Sequence, residues 1–263
     1  MNIWFAFLYQ PLVNALMFFT QTLGGNLGLA IISLTLVLRT IMIPLTSPSL
    51  KAAQKMKDLA PELEKLKKKY KHDKTALAKA QMELYKKHGA NPVSGCLPQI
   101  IQIIILIALF QAFSQVLRSN GETLVKLNEV LYSPLKLQSI EQLKTHFFYL
   151  DLTQPDLIKL PFKIGIDKFS LDKIPGLFLI GAALTQFLSS KAMMPTVKKE
   201  EKIAKKTKGK SDDMAAAMQE QMLYLMPAMT LFIGFTFPSG LVLYWLTFSL
   251  FMLVQQKLAV KKK

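Results

Sequence analysis

The placement of charge constrains this chain more than any other feature. All 17 acidic residues, and all but one of the 33 lysines and arginines, lie outside four stretches: 1–50, 91–117, 174–190 and 221–256. The exception is Arg39. Three of the stretches exceed the roughly 20 residues needed to cross a hydrocarbon core, and the third stands near the lower limit of about 17. This distribution predicts a polytopic membrane protein. Total apolar content is 51%, close to the ~45–50% of soluble domains, and decides little.

The stretches divide into five spans, so the expected fold is an all-α membrane protein, a five-span helical bundle. Span one covers 25–48, and Pro44 and Pro48 are expected to close it, because proline removes a backbone donor. Span two covers 95–117 and starts in "NPVSGCLP". Span three covers 174–191. The last stretch is too long for one helix, and "FPSG" at 237–240 divides it into span four, 221–237, and span five, 240–257. Each of these two is short for a ~30 Å core at about 1.5 Å per residue.

Charge then sets direction. The segment 47–91 carries 12 Lys against 5 acids, 191–220 carries 8 against 5, and the tail from 257 adds 4 Lys. The segment 117–173 is balanced, with 8 basic and 7 acidic residues. Lys/Arg excess marks the cytoplasmic side. The segment 49–91, a loop at 192–220 and a basic tail at 258–263 are therefore expected inside, and 118–173 outside. The N-terminus is then outside and the C-terminus cytoplasmic, in a multi-pass plasma-membrane protein. Residues 1–24 admit two readings. Gln10, Asn14 and Gln21 share one helical face, which suits an external amphipathic helix on the outer surface. A sixth span with an internal N-terminus obeys the charge rule equally well. The start "MNIWFAF" has no basic region or small-residue cleavage site and does not read as a cleaved signal peptide.

Between spans one and two, apolar residues recur every three or four positions at Leu50, Ala53, Met56, Leu59, Leu63, Leu66 and Tyr70, with lysines between them. "KHDK" interrupts the pattern, and Leu77, Ala80 and Leu84 resume it until "HGANP". The spacing predicts an antiparallel helical hairpin of net charge +7, with Pro61 kinking its first helix. Such an arm is either a solvated linker or a basic surface for anionic lipid, ribosomal RNA or an incoming peptide. The run "VKKEEKIAKKTKGKSDD" reads as a flexible loop.

A guanidinium near mid-membrane costs about 2.5–3.5 kcal/mol on insertion scales. Arg39 either snorkels to the inner interface or faces a water-filled cavity open to the cytoplasm. Span one itself adds Ser33, Thr35 and Thr40, and the other spans supply Gln99, Gln102, Gln111, Thr185, Gln186, Tyr244, Trp245, Thr247 and Ser249, with no carboxylate in any of them. Singly, such residues often serve as glue between helices. Together with an arginine that no acid in the spans can neutralise, they would attract acidic or polar segments of another chain. The missing intramembrane acids argue against an ion-coupled transporter. One cysteine, Cys96, excludes an internal disulfide or a cysteine metal cage. No nucleotide, metalloprotease or triad motif is visible, so neither an enzyme nor a cofactor is expected.

The chain resembles the YidC-type membrane protein insertases, the family shared with the mitochondrial oxidase-assembly and chloroplast Albino insertases. The likeness rests on "LVLRTIMIPLTSPSLKAAQKMKDLAPELEKLKKKYKHDK", "ELYKKHGANPVSGCLPQIIQ", "FFYLDLTQPD" and "FPSGLVLYWLTFSLFMLVQQ". It covers most of 28–115 and 145–256. It implies an insertase and chaperone that works alone or with the Sec translocon. Its partners would be nascent membrane proteins, membrane lipids and the ribosome, with no small-molecule substrate. It also implies a hydrophilic groove, open to the cytoplasm and closed outside, in which Arg39, Gln102, Gln186 and Trp245 match family positions and the hairpin recruits clients. Two departures stand out. Ser249 occupies a position where the family pattern has Asn, and the outer segment 119–146 is long. The chain resembles the compact members of the family, with a short basic tail.

Overall fold

Among the described residues, the charge-free runs of Leu, Ile, Met and Ala fold mostly as helix, whose backbone hydrogen bonds are all made within the run. The computed structural model describes residues 4–70, 73–89, 97–117, 121–164, 171–193 and 212–261. "NPVSGC" with Cys96, and most of the loop expected at 192–220, lie outside the described residues, as does the side chain of Gln99. A π-helical stretch Phe5–Tyr9 leads into α1 (Gln10–Thr22), followed by α2 (Leu27–Asp58), α3 (Ala60–Lys69), α4 (Lys74–Lys87), α5 (Leu97–Leu117) and α6 (Gly121–Val130). Two short hairpins come next, β1 (His146–Phe147) with β2 (Leu150–Asp151), then β3 (Leu157–Ile164) with β4 (Leu171–Pro175). The chain continues as α7 (Leu177–Met193), α8 (Asp212–Gly234) and α9 (Ser239–Lys261).

Several expected boundaries shift. The chain is mostly helical, as an all-α membrane protein is, and four strands lie in 146–175. Pro44 and Pro48 do not close the first span, since α2 runs through both for 32 residues. Each proline removes one backbone bond, to the carbonyls of Thr40 and Pro44, and the rest of the ladder carries the helix on. Pro61 starts a helix instead of kinking one: α2 ends at Asp58, and Pro61 occupies the first turn of α3, where its missing N–H is not needed. The third apolar helix begins at Leu177, because Ile174 and Pro175 belong to β4. At "FPSG" the chain does break, between Gly234 and Ser239. Helices α8 and α9, at 23 residues each, are longer than the spans read from the sequence. Among the described residues two helices are long and apolar enough to cross a membrane, Leu27–Asp58 and Ser239–Leu258; Ile101–Val116, Leu177–Ala192 and Leu223–Gly234 are shorter apolar helical runs.

The structure divides into two compact units. The first comprises 1–41, 101–186 and 227–251. Its core joins Val13, Leu16 and Met17 of α1 to Leu27, Ala30 and Ile31 of α2, Leu109 and Ala112 of α5, Leu127 of α6, and Leu243 and Tyr244 of α9. The polar face of α1 is hydrogen-bonded to the segment 130–135. Gln10 and Asn14 side-chain amides donate to the Val130 carbonyl, and Gln21 to that of Leu135.

At one end of this unit, backbone from 142–156 meets the N-termini of three helices. Lys144 N–H donates to the Gly25 carbonyl and Leu27 N–H to that of Lys144, at 2.9 and 3.2 Å. Gly25 has φ +81, and a Cβ there would stand 2.4 Å from the Gln142 carbonyl oxygen. At α9, Ser239 N–H donates to Gln154 O at 2.7 Å and Gly240 N–H to Leu152 O at 3.2 Å. At α7, the buried carboxylate of Asp156 accepts from Leu179 N–H at 2.8 Å. These partners satisfy donors that a helix start cannot satisfy itself, and the anionic one also complements the helix dipole.

The second unit comprises 42–100, 187–226 and 252–263. It contains α3 and α4, packed antiparallel with Leu59 and Leu77 buried in the seam and Lys65, Lys68, Lys69, Lys79, Lys86 and Lys87 exposed. Asp73 caps α4, its side chain accepting from Ala76 N–H at 2.9 Å. Asp73→Ala is expected to cost about 1 kcal/mol of local stability, seen as faster amide exchange in the first turn of α4 and unchanged exchange in α7. In this unit Lys57 Nζ also reaches the Ala192 carbonyl at 3.1 Å, and the Gln255 amide reaches Thr46 Oγ1 at 3.0 Å.

Candidate functional site: a buried arginine among amides and aromatic rings

Helix α2 places Arg39 inside the first unit, buried although Leu36 and Thr40 beside it are exposed. Arg39 is only 7% exposed. Its Nη2 donates to the Oε1 of Gln102 on α5, whose Nε2 is bonded to the hydroxyl of Tyr244 on α9. The guanidinium carbon lies 3.7 Å from the ring centroid of Phe248, one turn along α9 from Tyr244. The quadrupole of an aromatic face attracts a cation, most strongly away from water. Three helices thus share one polar chain: arginine to amide to phenol, with a second ring beneath the charge.

Sequence reading placed Arg39 either at the inner interface or against water. In the structure its near neighbours are the Gln102 amide and the Phe248 ring. A guanidinium carries five N–H donors and no acceptor. Among the described residues, Gln102 is the only hydrogen-bond acceptor it meets. The arginine therefore keeps spare donors, and no acidic residue occurs in the charge-free stretches to use them.

The other expected site residues form a second group. Gln186 of α7 accepts at Oε1 from Thr230 Oγ1 of α8, at 2.5 Å. Ser249 of α9 is 4% exposed, and its hydroxyl pairs with that of Thr185 on α7 at 2.5 Å. Trp245 is half-buried and packs against both apolar clusters of the unit. The structure therefore joins Arg39 directly to Gln102 and sets Gln186 and Ser249 in separate hydrogen bonds.

Tyr244 was counted only among the polar residues of the spans, and Phe248 and Thr230 were missed as site residues. The spacing on α9 could have found the first two. Residues 244 and 248 lie four apart, as do 245 and 249, and the two pairs are offset by about 100°. One pair faces Arg39 and Gln102, the other faces α7.

Outside this cluster, large apolar side chains are left exposed along the helices. They include Val37 and Ile41 of α2, Ile103 and Ile107 of α5, Ile180 and Leu184 of α7, Phe232 of α8 and Leu250 of α9. Exposed apolar surface on several helices of one protein marks contact with something other than water.

Comparison with known proteins accounts for this pattern. The family model described as the 60Kd inner membrane protein matches residues 18–263. The chain is 34% identical over 260 residues to the membrane protein insertase YidC of Fusobacterium nucleatum, covering 98% of both chains. It is 31% identical over 258 residues to membrane protein insertase YidC 1 of Halalkalibacterium halodurans, covering 97% of this chain and 77% of that one. It is 32% identical over 258 residues to the YidC of Pelobacter propionicus, covering 96% of this chain and 38% of that one. The chain thus spans well under half the length of some relatives and nearly all of another. With the family model matched over almost the whole sequence, the chain belongs to the 60Kd inner membrane protein family, the YidC-type membrane protein insertases.

Proposed function

We propose that this chain inserts membrane proteins by receiving a polar or acidic segment of a nascent client at Arg39, and that it also acts as a chaperone for such clients. The observation that carries this reading is the state of the arginine. It is buried, holds one neutral acceptor, retains spare donors and has no acid within the charge-free stretches. A client carboxylate is the partner that cation lacks, and a planar guanidinium binds a carboxylate through two parallel hydrogen bonds.

In this mechanism Gln102 is a latch. Its amide holds α2 and α9 together through Arg39 and Tyr244. An arriving carboxylate replaces Gln102 Oε1 as the acceptor, and the helices part to form a groove open to the cytoplasm. Gln186, Trp245 and Ser249 line its further wall. The backbone of 142–156, bonded to three helix N-termini, keeps the outer end shut. The client's apolar helix then leaves to lipid, driven by about 25 cal/mol for each Å² transferred. No nucleotide enters this scheme.

The accompanying topology has five spans: α2, α5, α7, α8 and α9. The α3–α4 hairpin and the basic C-terminus are cytoplasmic, by the charge rule. The N-terminal helix lies on the outer face. Its side-chain bonds support this. Trp4 and Tyr9 reach only Gln111 and Gln115 near the end of α5, and Gln10, Asn14 and Gln21 reach 130–135. The exposed lysines of the hairpin suit anionic lipid, the ribosome and incoming clients, and the Sec translocon is a further partner.

Purified full chain in pure phospholipid vesicles tests this. A small single-span client with a short acidic outer tail should become protease-protected, well above protein-free vesicles. No gain over those vesicles would leave a scaffold that binds membrane subunits without inserting them.

A further inference from the structure

The motif "FFYLDLTQPD" has no part in the arginine cluster, yet it builds a distinctive surface. Phe148 and Tyr149 form the turn between β1 and β2. Among the described residues Phe148 is the only non-glycine with positive φ, at 52°. It is also 84% exposed. A bulky residue in the left-handed region is strained, and such strain persists where the surroundings impose it. The surroundings here are specific. Phe147 stacks edge-on against Phe148 at 4.8 Å, and Tyr149 packs on Phe178 at 5.6 Å. The Tyr149 hydroxyl donates to Asp156 at 2.9 Å and accepts from Phe178 N–H at 3.2 Å. Partial burial, opposed by the Phe178 amide and reinforced by Asp156, raises the Tyr149 pKa above the usual tyrosine value, so the phenol stays a donor. A ring is thus held outward with its polar end tied down.

Two further observations identify what it meets. Leu177, Ile180 and Leu184 are 67%, 47% and 54% exposed, and their spacing makes one stripe along α7 that begins beside this turn. In the adjoining hairpin, Lys159 of β3 is the register partner of Lys173 of β4, and both are exposed. Like charges directly opposite destabilise a strand pair, unless an anion lies over them. The neighbouring pair, Ile158 and Ile174, is exposed on the other face. Apolar rings, an apolar stripe leading into a helix and a paired cationic site together match a phospholipid interface, where aromatic residues settle at headgroup level and lysines meet lipid phosphates.

We propose that the β1–β2 turn and the β3–β4 hairpin anchor the chain in the outer leaflet. Phe148, Tyr149 and Leu177 sit at the headgroup–acyl boundary, and Lys159 with Lys173 contacts lipid phosphate. This rests on the reading of α7 as a span. The anchor fixes the depth at which α7 starts, independently of the arginine.

The test uses the full chain with Cys96→Ser, in vesicles of phosphatidylcholine with or without phosphatidylglycerol. A nitroxide is attached after Phe148→Cys or, separately, Leu184→Cys. Phe148 is almost fully exposed, so its replacement removes little packing. At position 148 the label should collide with oxygen several-fold more than with a water-soluble nickel chelate, at a depth shallower than at 184. Adding phosphatidylglycerol should move it deeper, and Lys159→Gln with Lys173→Gln should abolish that response. A label at 148 that meets nickel freely, while 184 does not, overturns the anchor and leaves the span intact. Nickel access at 184 overturns the span and the anchor with it. Shielding of 148 from both reagents indicates a protein occupant and overturns the lipid assignment, and an unchanged response in the double lysine variant overturns the phosphate contact.

Discussion

Gly176→Ala is expected to be among the most damaging single-methyl changes in this chain, lowering stability by about 3 kcal/mol or more. The added Cβ would stand 1.7 Å from Asp156 Oδ1 and 2.4 Å from its Cγ. The carboxylate cannot swing aside freely. It accepts from Leu179 N–H at 2.8 Å and from the Tyr149 hydroxyl at 2.9 Å, while its own carbonyl accepts from Gly176 N–H at 2.8 Å. Moving it strips the first turn of α7 of its acceptor and leaves a buried charge poorly paired. Asp156→Asn keeps one acceptor oxygen and loses the charge, so it should fall between wild type and Gly176→Ala. Gly24→Ala is the control, because that glycine has φ +67 with nothing within 4 Å of a Cβ. It should cost only the left-handed strain, about 1 kcal/mol. Thermal unfolding of the purified protein in detergent orders the variants. Equal midpoints for Gly176→Ala and Gly24→Ala would show that the Asp156 lock contributes nothing.

That lock was invisible in the sequence, and the reason is general to this chain. Features set by near neighbours could be read. "FPSG" breaks a helix because proline and glycine act locally, and the hairpin seam through Leu59 and Leu77 follows from spacing alone. Features set by partners distant in the chain could not. Asp156 reads as one more loop acid until Leu179 is brought to it. Pro44 and Pro48 read as stops, yet α2 continues through both for 32 residues, because tertiary packing can override local preference. β1 and β2, at two residues each, are too short for alternation to stand out, and Pro161 inside β3 argues against a strand there. At the site, charge patterning isolated Arg39, residue type offered Gln102 alongside Gln99 and Gln111, and the family resemblance singled it out. The direct bond between Arg39 and Gln102, and the roles of Tyr244 and Phe248 beneath it, depend on how α2, α5 and α9 pack.

Arg39→Ala should reduce insertion of an acidic-tailed client by about tenfold to a hundredfold, the effect of losing a charged hydrogen bond of about 1.5–3 kcal/mol. The same change also orphans Gln102 Oε1, so lost activity alone would not separate a binding role from a packing role. Three further variants do. Arg39→Lys keeps the charge and loses the planar fork, and should retain intermediate activity. Gln102→Leu removes the neutral acceptor, exposing both Arg39 and Tyr244 to unmet bonds at a cost of about 1–3 kcal/mol in stability. Arg39→Leu combined with Gln102→Leu and Tyr244→Phe replaces the whole bonded chain by apolar groups, a swap that can be close to neutral for folding. If the arginine serves clients, the triple variant regains thermal stability in detergent and remains inactive in vesicles. If it serves packing, stability and insertion recover together. The client supplies the remaining control: replacing its acidic tail residues by amides should shrink the difference between wild type and Arg39→Ala, because the carboxylate that displaces Gln102 is then absent. An undiminished difference with the amide tail would mean that Arg39 acts on something other than client charge.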